Sequence, residues 1–367
     1  MQAELILLII TTAVLTYQYG YMLIFFTAFP MWKKRREEEV PVSLSLVVCA
    51  KNELENLKKH LPLWLEQDHP DYEVVVVNDR SWDESDEYLD QMAEKHPHLK
   101  VRHLRDYDRH WIGKKFALTI GIKAAKNERL VLSDADCRPS SKHWLTEMGR
   151  KAKRSTLLLG YGAYAGKGFT ASFSRFETQM AALHWMSWAN RGRAYMGVGR
   201  NLSYTRSLFM ENNGFSKHMH IPSGDDDLFV SEVAKGQKTK VVLNPNAFTL
   251  SAAPMNGKEW LKQKRRHLST SNFYPWPIKW ALGAWGATSI LAYMLLIFSP
   301  WLWNIHPSWV LVLLGRWLVL LLFYTVAALR LKNAWSGFLI LLFEAPLLLS
   351  QLYLHRINRS KGIEKKW

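Results

Sequence analysis

The sequence predicts an α/β domain built on a doubly wound, mostly parallel sheet and flanked by membrane helices. Three observations lead there. Hydrophobicity is segregated into long apolar runs near the two ends of the chain. Between them, short apolar segments without alternation recur, and helix-period segments separate them. Strands buried on both faces read as unbroken apolar runs, and strand–helix alternation is the pattern of a parallel sheet covered by helices.

The first run, "ELILLIITTAVLTYQYGYMLIFFTAFP" at 4–30, is almost free of charge. It exceeds the roughly 20 apolar residues that span a bilayer. "KKRR" follows at 33–36. A signal peptide would carry its charge before the apolar run, so residues 1–32 read as an uncleaved anchor. The positive-inside rule then places the N-terminus outside and the chain from Lys33 onward in the cytoplasm. Residues 279–303 and 308–330, separated by "NIHP", read as a helical hairpin, 279–331, which "RLK" returns to the cytoplasm. Arg316, inside the second run, reads as structural, either snorkelling or facing another helix. The last run, 335–356, contains Glu344 and Pro346 and precedes a basic tail, 357–367. A full crossing would leave those charges outside, so this run is expected to be membrane-embedded, as a re-entrant or interfacial helical pair. The whole is a multi-pass integral membrane protein with its globular part cytoplasmic, on the inner membrane if the source is bacterial.

Residues 40–275 have ordinary globular composition. "SLSLVVCA" (43–50), "YEVVVVND" (72–79), "KVRHL" (100–104) and "RLVLSDAD" (129–136) read as strands. Helices are expected between them at 53–67, 84–96 and 114–126, the first with Leu54, Leu57, Leu61 and Leu65 on one side. Ligands of such sheets bind beyond the carboxyl ends of the strands. There the strands end in "AKNE", "NDRS" and "DAD", so Asp79, Asp134 and Asp136 are expected in one site.

Two acids one residue apart suit a hard cation: Mg²⁺ or Mn²⁺ takes one or two carboxylates together with substrate phosphates. "GKK" (113–115) opens a helix, where lysines and free amides can face phosphate. "SGDDDLF" (223–229) packs three acids together, either as helix capping or as a carboxyl with a raised pKa. "QKRRH" (263–267) lies in a basic helix just before the membrane. "GVGRNLSYTRSLF" (197–209) is Gly-rich but lacks the spacing of a dinucleotide loop. The net charge of +16 suits nucleic acid, anionic lipid or a phosphate-bearing substrate; 17 Trp make a nucleic-acid module the poorer reading. Cys49 and Cys137 lack CxxC spacing, which argues against a disulfide framework or a zinc site and for a reducing compartment.

Together these residues resemble the inverting family 2 glycosyltransferases of the membrane-bound type, over roughly residues 40–275. Four signals stand in the family's order: "NDRS" with Asp79, "DAD" with Asp134 and Asp136, "GDDD" at 224–227, and Gln263 to His267 in place of QxxRW. The resemblance implies a GT-A fold, with a nucleotide-sugar-binding sheet followed by an acceptor-binding half. It implies that Asp79 contacts the nucleotide base, that Asn52 and Glu53 lie near base and ribose, and that Lys114 lies near the donor. Asp134 and Asp136 match the DxD pair, with Asp136 the more direct ligand of Mg²⁺ or Mn²⁺. Asp225 and Asp226 stand where the family has "ED", with Asp226 as catalytic base; Asp227 leaves a register choice of one residue. Gln263, Arg266 and His267 fall on the donor side, with Arg266 pairing with the diphosphate.

His267 departs from the family's Trp, a flat platform for an acceptor sugar, and this weakens a processive-synthase reading. The resemblance implies a single displacement from a nucleotide-sugar to a lipid-linked or glycan acceptor at the membrane, without nucleic acid. The alternatives are a processive polysaccharide synthase, a non-catalytic membrane scaffold with the same fold, and a nucleic-acid binder.

Overall fold

The computed structural model describes residues 2–29, 40–105, 113–153, 155–300, 303, 307–333 and 336–361, with side chains to 358. The "KKRR" cluster, most of the "NIHP" break and the end of the basic tail lie outside the described residues.

Four strands, β1 (Leu44–Ala50), β2 (Tyr72–Asp79), β3 (Leu99–Leu104) and β4 (Arg129–Asp134), run parallel to one another. With β6 (Leu157–Gly160), β8 (Leu202–Thr205) and β9 (Thr239–Val242) they form a seven-stranded sheet in the order β3-β2-β1-β4-β8-β6-β9. The sheet is parallel except at β8, which runs antiparallel to both β4 and β6. Side-chain period reports burial and not direction, so this reversal is not written in the strand itself. A small second sheet joins β5 (Cys137–Pro139), β10 (Thr249–Ala252) and β7 (Gly162–Ala165).

The apolar strands are covered on both faces. On one, Leu46, Val48, Val74 and Val76 pack with Leu57, Leu61 and Trp64 of α2 (Leu54–Leu65), Leu89 of α3 (Ser85–Lys95) and Trp144 and Met148 of α5 (Trp144–Ala152). On the other, Val47, Val75 and Val77 meet Ala117, Leu118 and Ile122 of α4 (Lys114–Ala124). The helix–sheet approach there is close, because a Cβ on Gly121 would stand 2.6 Å from Val47 Cγ1. Phe176 and Leu183 of α6 (Phe169–Asn190) extend this core toward the long apolar helices.

Register decides where the polar strand ends go. Cys49 pairs with Val77 on one side and Asp134 on the other, so β1, β2 and β4 terminate along one edge. The second half adds α7 (Arg206–Glu211), α8 (Asp227–Val233) and α9 (Gly257–Thr270).

Among the described residues, four helices are long and apolar enough to cross a membrane: α1 (Gln2–Ile24) with the turn after it, α10 (Trp276–Ile297), α11 (Pro307–Arg330) and α12 (Leu339–Lys361). The run at 335–356 therefore does not fold as a pair: α12 is one helix with Pro346 inside it. Proline removes one backbone hydrogen bond, and tertiary contacts keep the helix continuous across the gap. Those contacts are distributed unevenly. Near its start, Phe343 packs edge-to-face with Phe169, Phe173 and Phe176 of α6. At its end, Asn358 exchanges hydrogen bonds with Arg265 of α9, at 3.1 and 3.2 Å. Next to Phe343, Glu344 meets the helix bundle.

There Arg316 of α11 is fully buried and faces other helices. Its guanidinium holds Glu344 through Nη1 and Nη2, at 2.9 and 2.6 Å. It also donates to Ser289 of α10 at 3.0 Å and Gln18 of α1 at 3.2 Å, while Tyr293 donates to Glu344 at 2.9 Å. A fork of donors aimed at a carboxylate and two neutral acceptors is how a buried charge is satisfied. Glu344→Ala would leave the Arg316 charge buried without its counter-ion, and thermal or denaturant unfolding of the detergent-solubilised chain should show a loss of about 3–5 kcal/mol. Replacing Arg316 and Glu344 together by Met should recover most of it; equal losses in the single and double variants would contradict the clamp.

Candidate active site

At the carboxyl edge of the sheet, the turn after β1 is tied to the turn after β2. Asn52, with φ of 55°, donates its backbone N–H to Ser81 Oγ at 2.8 Å and accepts from the Trp82 N–H at 2.9 Å. Asn tolerates this left-handed conformation better than most residues. Glu53 accepts from Asn56 at 2.6 Å, and burial followed by the neighbouring Asp136 and Asp134 charges raises its pKa. Asp79 is fully buried. Its Oδ1 is held by Arg80, whereas Oδ2 has no hydrogen-bond partner among the described residues. Burial raises the Asp79 pKa, against Arg80 and Lys51. A buried acceptor without a donor is costly unless something supplies one.

The neighbouring strand end carries Asp134 and Asp136. Their carboxylates and the Cys137 sulfur lie within 4.8 Å of one another. Cys137 is not a third ligand in this geometry: its thiol donates to Asp136 Oδ1 at 3.1 Å, and burial holds its pKa well above the usual thiol value. Asp136 is open to the cleft. Enclosure by the cleft walls and then the Asp134 charge raise its pKa, a repulsion that a divalent cation would relieve. Two carboxylates, one exposed, suit a hard metal ion that keeps other positions for phosphate and water.

Lys114 is the first residue of α4, which follows Gly113 at φ of 116°. Its Nζ lies 2.7 Å from Asp134 Oδ1 and 2.7 Å from Asp225 Oδ2. Burial alone would lower the Lys114 pKa, but Asp134 and Asp225 outweigh it and raise it well above the usual value. This contact brings the "DAD" and "GDDD" segments into one cleft. Lys115 does not face the cleft: it turns inward and donates to the carbonyls of His218 at 2.6 Å and Ile221 at 3.1 Å. Successive helical residues point about 100° apart, so the two lysines of "GKK" cannot share a target.

The three acids of "GDDD" have separate partners. Burial would raise Asp225, but Lys114 holds its pKa below the ordinary value. Asp226 caps α8: Oδ1 accepts from the Asp227 N–H and Oδ2 from the Gly199 N–H, both at 2.7 Å. Burial, then the flanking Asp225 and Asp227 charges, raise the Asp226 pKa to about 7. Asp227 points away, accepting from the Thr270 hydroxyl and, at 2.7 Å, from Tyr274, just before α10.

Along α9, Gln263 Oε1 accepts from the Tyr164 hydroxyl at 3.1 Å. His267 is accessible to solvent on its outer side, yet enclosure and the cations Lys264, Arg266, Arg200 and Lys114 hold its pKa well below the usual imidazole value. Arg266 is exposed, and its side chain makes no hydrogen bond or ion pair among the described residues. The structure thus gathers Lys114, Asp134, Asp136, Asp225 and Asp226 directly, joins Gln263 through Tyr164, and leaves Arg266 at the rim.

One residue of the cleft was not singled out in the sequence. Arg200 lies over the Tyr164 ring, 4.4 Å from its centroid, and acts on the Asp136 charge. Its signal was a lone arginine inside "GVGRN", a segment weighed only as a dinucleotide loop.

Residues 45–204 match Glycosyl transferase family 2. A 115-residue stretch is 32% identical to 4,4'-diaponeurosporenoate glycosyltransferase of Staphylococcus haemolyticus. That match covers 30% of this chain and 29% of the relative, less than a third of its length. Mannosyltransferase PcManGT from Pyrobaculum calidifontis, solved with GDP-Man and Mn²⁺, superposes with a TM-score of 0.53 at 20% identity, covering 90% of this chain and 99% of the other. S. aureus TarS, residues 1–349, superposes with a TM-score of 0.45 at 17% identity, covering 87% and 91%. The fold is GT-A, an α/β domain with a parallel-rich sheet and flanking apolar helices.

The acid pair is testable by binding alone. Titration of the purified chain with Mn²⁺, followed by electron paramagnetic resonance, should show a site that Asp136→Ala weakens by about tenfold or more. Equal Mn²⁺ affinity in wild type and Asp136→Ala would rule that residue out as a ligand.

Proposed function

We propose that the chain, which matches Glycosyl transferase family 2 over residues 45–204 and has a GT-A fold, moves a sugar, with inversion, from a nucleotide-diphosphate sugar to a hydroxyl acceptor at the cytoplasmic membrane face. The acceptor is lipid-linked or a cell-envelope glycan. The observation that carries this reading is the Lys114 bridge, which sets the metal-ligating acids and the buried Asp226 carboxylate in one cleft. The orphan Oδ2 of Asp79 supports a nucleotide base there, since a base edge offers the missing N–H donor. Asn52, Glu53 and Gln263 line the donor side with Arg266 and His267.

In the proposed reaction the acceptor hydroxyl gives its proton to Asp226 as its oxygen bonds the anomeric carbon. The bond from that carbon to the diphosphate oxygen breaks on the opposite face, and the electron pair leaves with the diphosphate. Asp134 and Asp136 would hold Mg²⁺ or Mn²⁺, which supplies charge neutralisation to the departing diphosphate. Asp225 stays ionised against Lys114 and shapes the pocket. A carboxyl with pKa about 7 is a better proton acceptor than an ordinary one and is still ionised in much of the population at neutral pH.

A membrane-borne acceptor is supported by the position of the cleft. Asp227, next to the base, is bonded to Thr270 and Tyr274, at the foot of α10. Trp276, the first residue of that helix, is 71% exposed, as an interfacial aromatic would be. A cavity of about 330 Å³, lined by His218, His220, Ser231, Glu232, Phe273 and Pro275, lies between α8 and the same segment.

For α12, one continuous helix, the charge rule favours an interfacial course: a full crossing would leave His355, Arg356, Arg359 and Lys361 outside. This reading keeps the basic tail cytoplasmic, as the charge rule asks.

Membranes containing the chain should turn over one nucleotide-sugar in a screen, and EDTA should abolish that turnover. Asp226→Asn should lower the rate by about 10²- to 10⁴-fold with donor affinity little changed. Asp225→Asn should lose less. The wild-type kcat/KM should fall as pH drops through about 7, because protonation removes the base. Full activity of Asp226→Asn would refute the base assignment, and failure of donor binding in that variant would move Asp226 to the donor site. For topology, Cys49 and Cys137 are buried and should not react. A cysteine placed at Gln2 should be labelled by an impermeant maleimide from the side opposite to cysteines at Glu94 and Trp367; labelling of Trp367→Cys from the Gln2 side would mean that α12 crosses.

A further inference from the structure

The loop at 199–200 is fixed from several directions. Gly199 gives its N–H to Asp226. The Arg200 carbonyl accepts from Ser133 Oγ at 3.2 Å, on the strand that delivers the acid pair. Asn201, fully buried, donates to the carbonyls of Tyr161 at 2.9 Å and Ala247 at 2.8 Å and accepts from Trp144 Nε1 at 3.1 Å. A side chain carried on this loop is therefore held in place before any ligand arrives.

The seat of that side chain is carved for it. A Cβ on Gly162 would stand 2.3 Å from Arg200 Nε and 2.6 Å from Cγ and Cδ, so the strand beside it has room only because it carries glycine there. The guanidinium stacks on Tyr164, whose hydroxyl is bonded to Gln263, and donates to Ser251 Oγ at 2.8 Å. It makes no ion pair with a carboxylate among the described residues. A guanidinium is a planar fork of N–H donors that matches phosphate, and a half-buried one with only hydroxyl partners is under-satisfied.

The other cations near the cleft are committed elsewhere. Lys114 is neutralised by two carboxylates, Lys115 holds two carbonyls, and Lys264 pairs with Glu177. Arg266 is exposed at the rim. Arg200 alone of these combines a fixed position beside Asp136 with unfilled donors. We propose that Arg200 is the guanidinium that grips the donor's diphosphate and receives its charge as the glycosidic bond breaks. This rests on the reading of the donor as a nucleotide-diphosphate sugar. Arg200 neither gains nor loses a proton in that step; the electron pair of the broken bond resides on the diphosphate oxygen that it contacts.

The test is binding of UDP and GDP, and of UMP and GMP, to the detergent-solubilised full chain with Mn²⁺, measured by calorimetry. Whichever diphosphate binds wild type should bind Arg200→Gln about tenfold or more weaker, the equivalent of one lost charge-assisted hydrogen bond. Its monophosphate should change by less than about threefold, because the missing contact is to the terminal phosphate. Arg200→Lys should recover part of the loss. Unchanged diphosphate affinity in Arg200→Gln overturns the proposal. Parallel loss of diphosphate and monophosphate also overturns it, since that is what a collapsed pocket would give. Wild type that binds neither diphosphate removes the nucleotide-sugar reading itself, and this proposal with it.

Discussion

An ammonium group holds the cleft together. Asp134, Asp136, Asp225, Asp226 and Asp227 approach from two segments far apart in sequence, and like charges this close repel. Lys114 Nζ, 2.7 Å from one carboxylate of each segment, offsets that repulsion where it is greatest. The pairing also fixes the charge of the lysine itself, since its carboxylates overcome the burial that would otherwise favour the neutral amine. Gly113 turns the chain so that Lys114 stands at the first position of α4, and Gly121 lets the same helix press against β1 and β2. The bridging charge is thus braced on the rigid core of the sheet.

Around that bridge, three consecutive acids of one type acquire three different states. Asp225 takes the lysine and stays ionised; Asp226 takes two backbone N–H groups and sits near neutrality in pKa; Asp227 takes two hydroxyls from the segment that leads into the membrane. Helix geometry separates them, because consecutive side chains at a helix start leave in different directions. Partner and direction distinguish the three, where residue type does not. The same rule separates Lys114 from Lys115.

A second charged pair organises the bundle of long apolar helices. Arg316 and Glu344 are both buried, and Gln18, Ser289 and Tyr293 fill the remaining hydrogen-bonding positions. One guanidinium, carried by α11, therefore touches the other three apolar helices. A buried charge must find partners inside the protein, so the network specifies how the helices associate as well as holding them. Asp227 and Tyr274 then connect the acidic cleft to the foot of α10.

Much of this was legible in the sequence. Unbroken apolar strands must be covered on both faces, so "SLSLVVCA" and "YEVVVVND" announced a sheet between helices. Parallel strands end on one edge, so Asp79, Asp134 and Asp136 could be assigned together. The apolar runs were long enough to announce helices that could cross a bilayer, and they fold as long helices. Other features depended on atoms that meet only after folding. The reversed direction of β8, the inward turn of Lys115, the continuity of α12 through Pro346 and the partners of Arg316 are not written in period or spacing. Arg200 shows the reason most directly. As a letter it is one arginine among many; its place follows from a glycine on a neighbouring strand and a tyrosine ring, which three-dimensional packing brings into contact with it within reach of the Asp136 charge. Pattern reports which face a residue takes. Partners that are distant in sequence decide what its charge will do there.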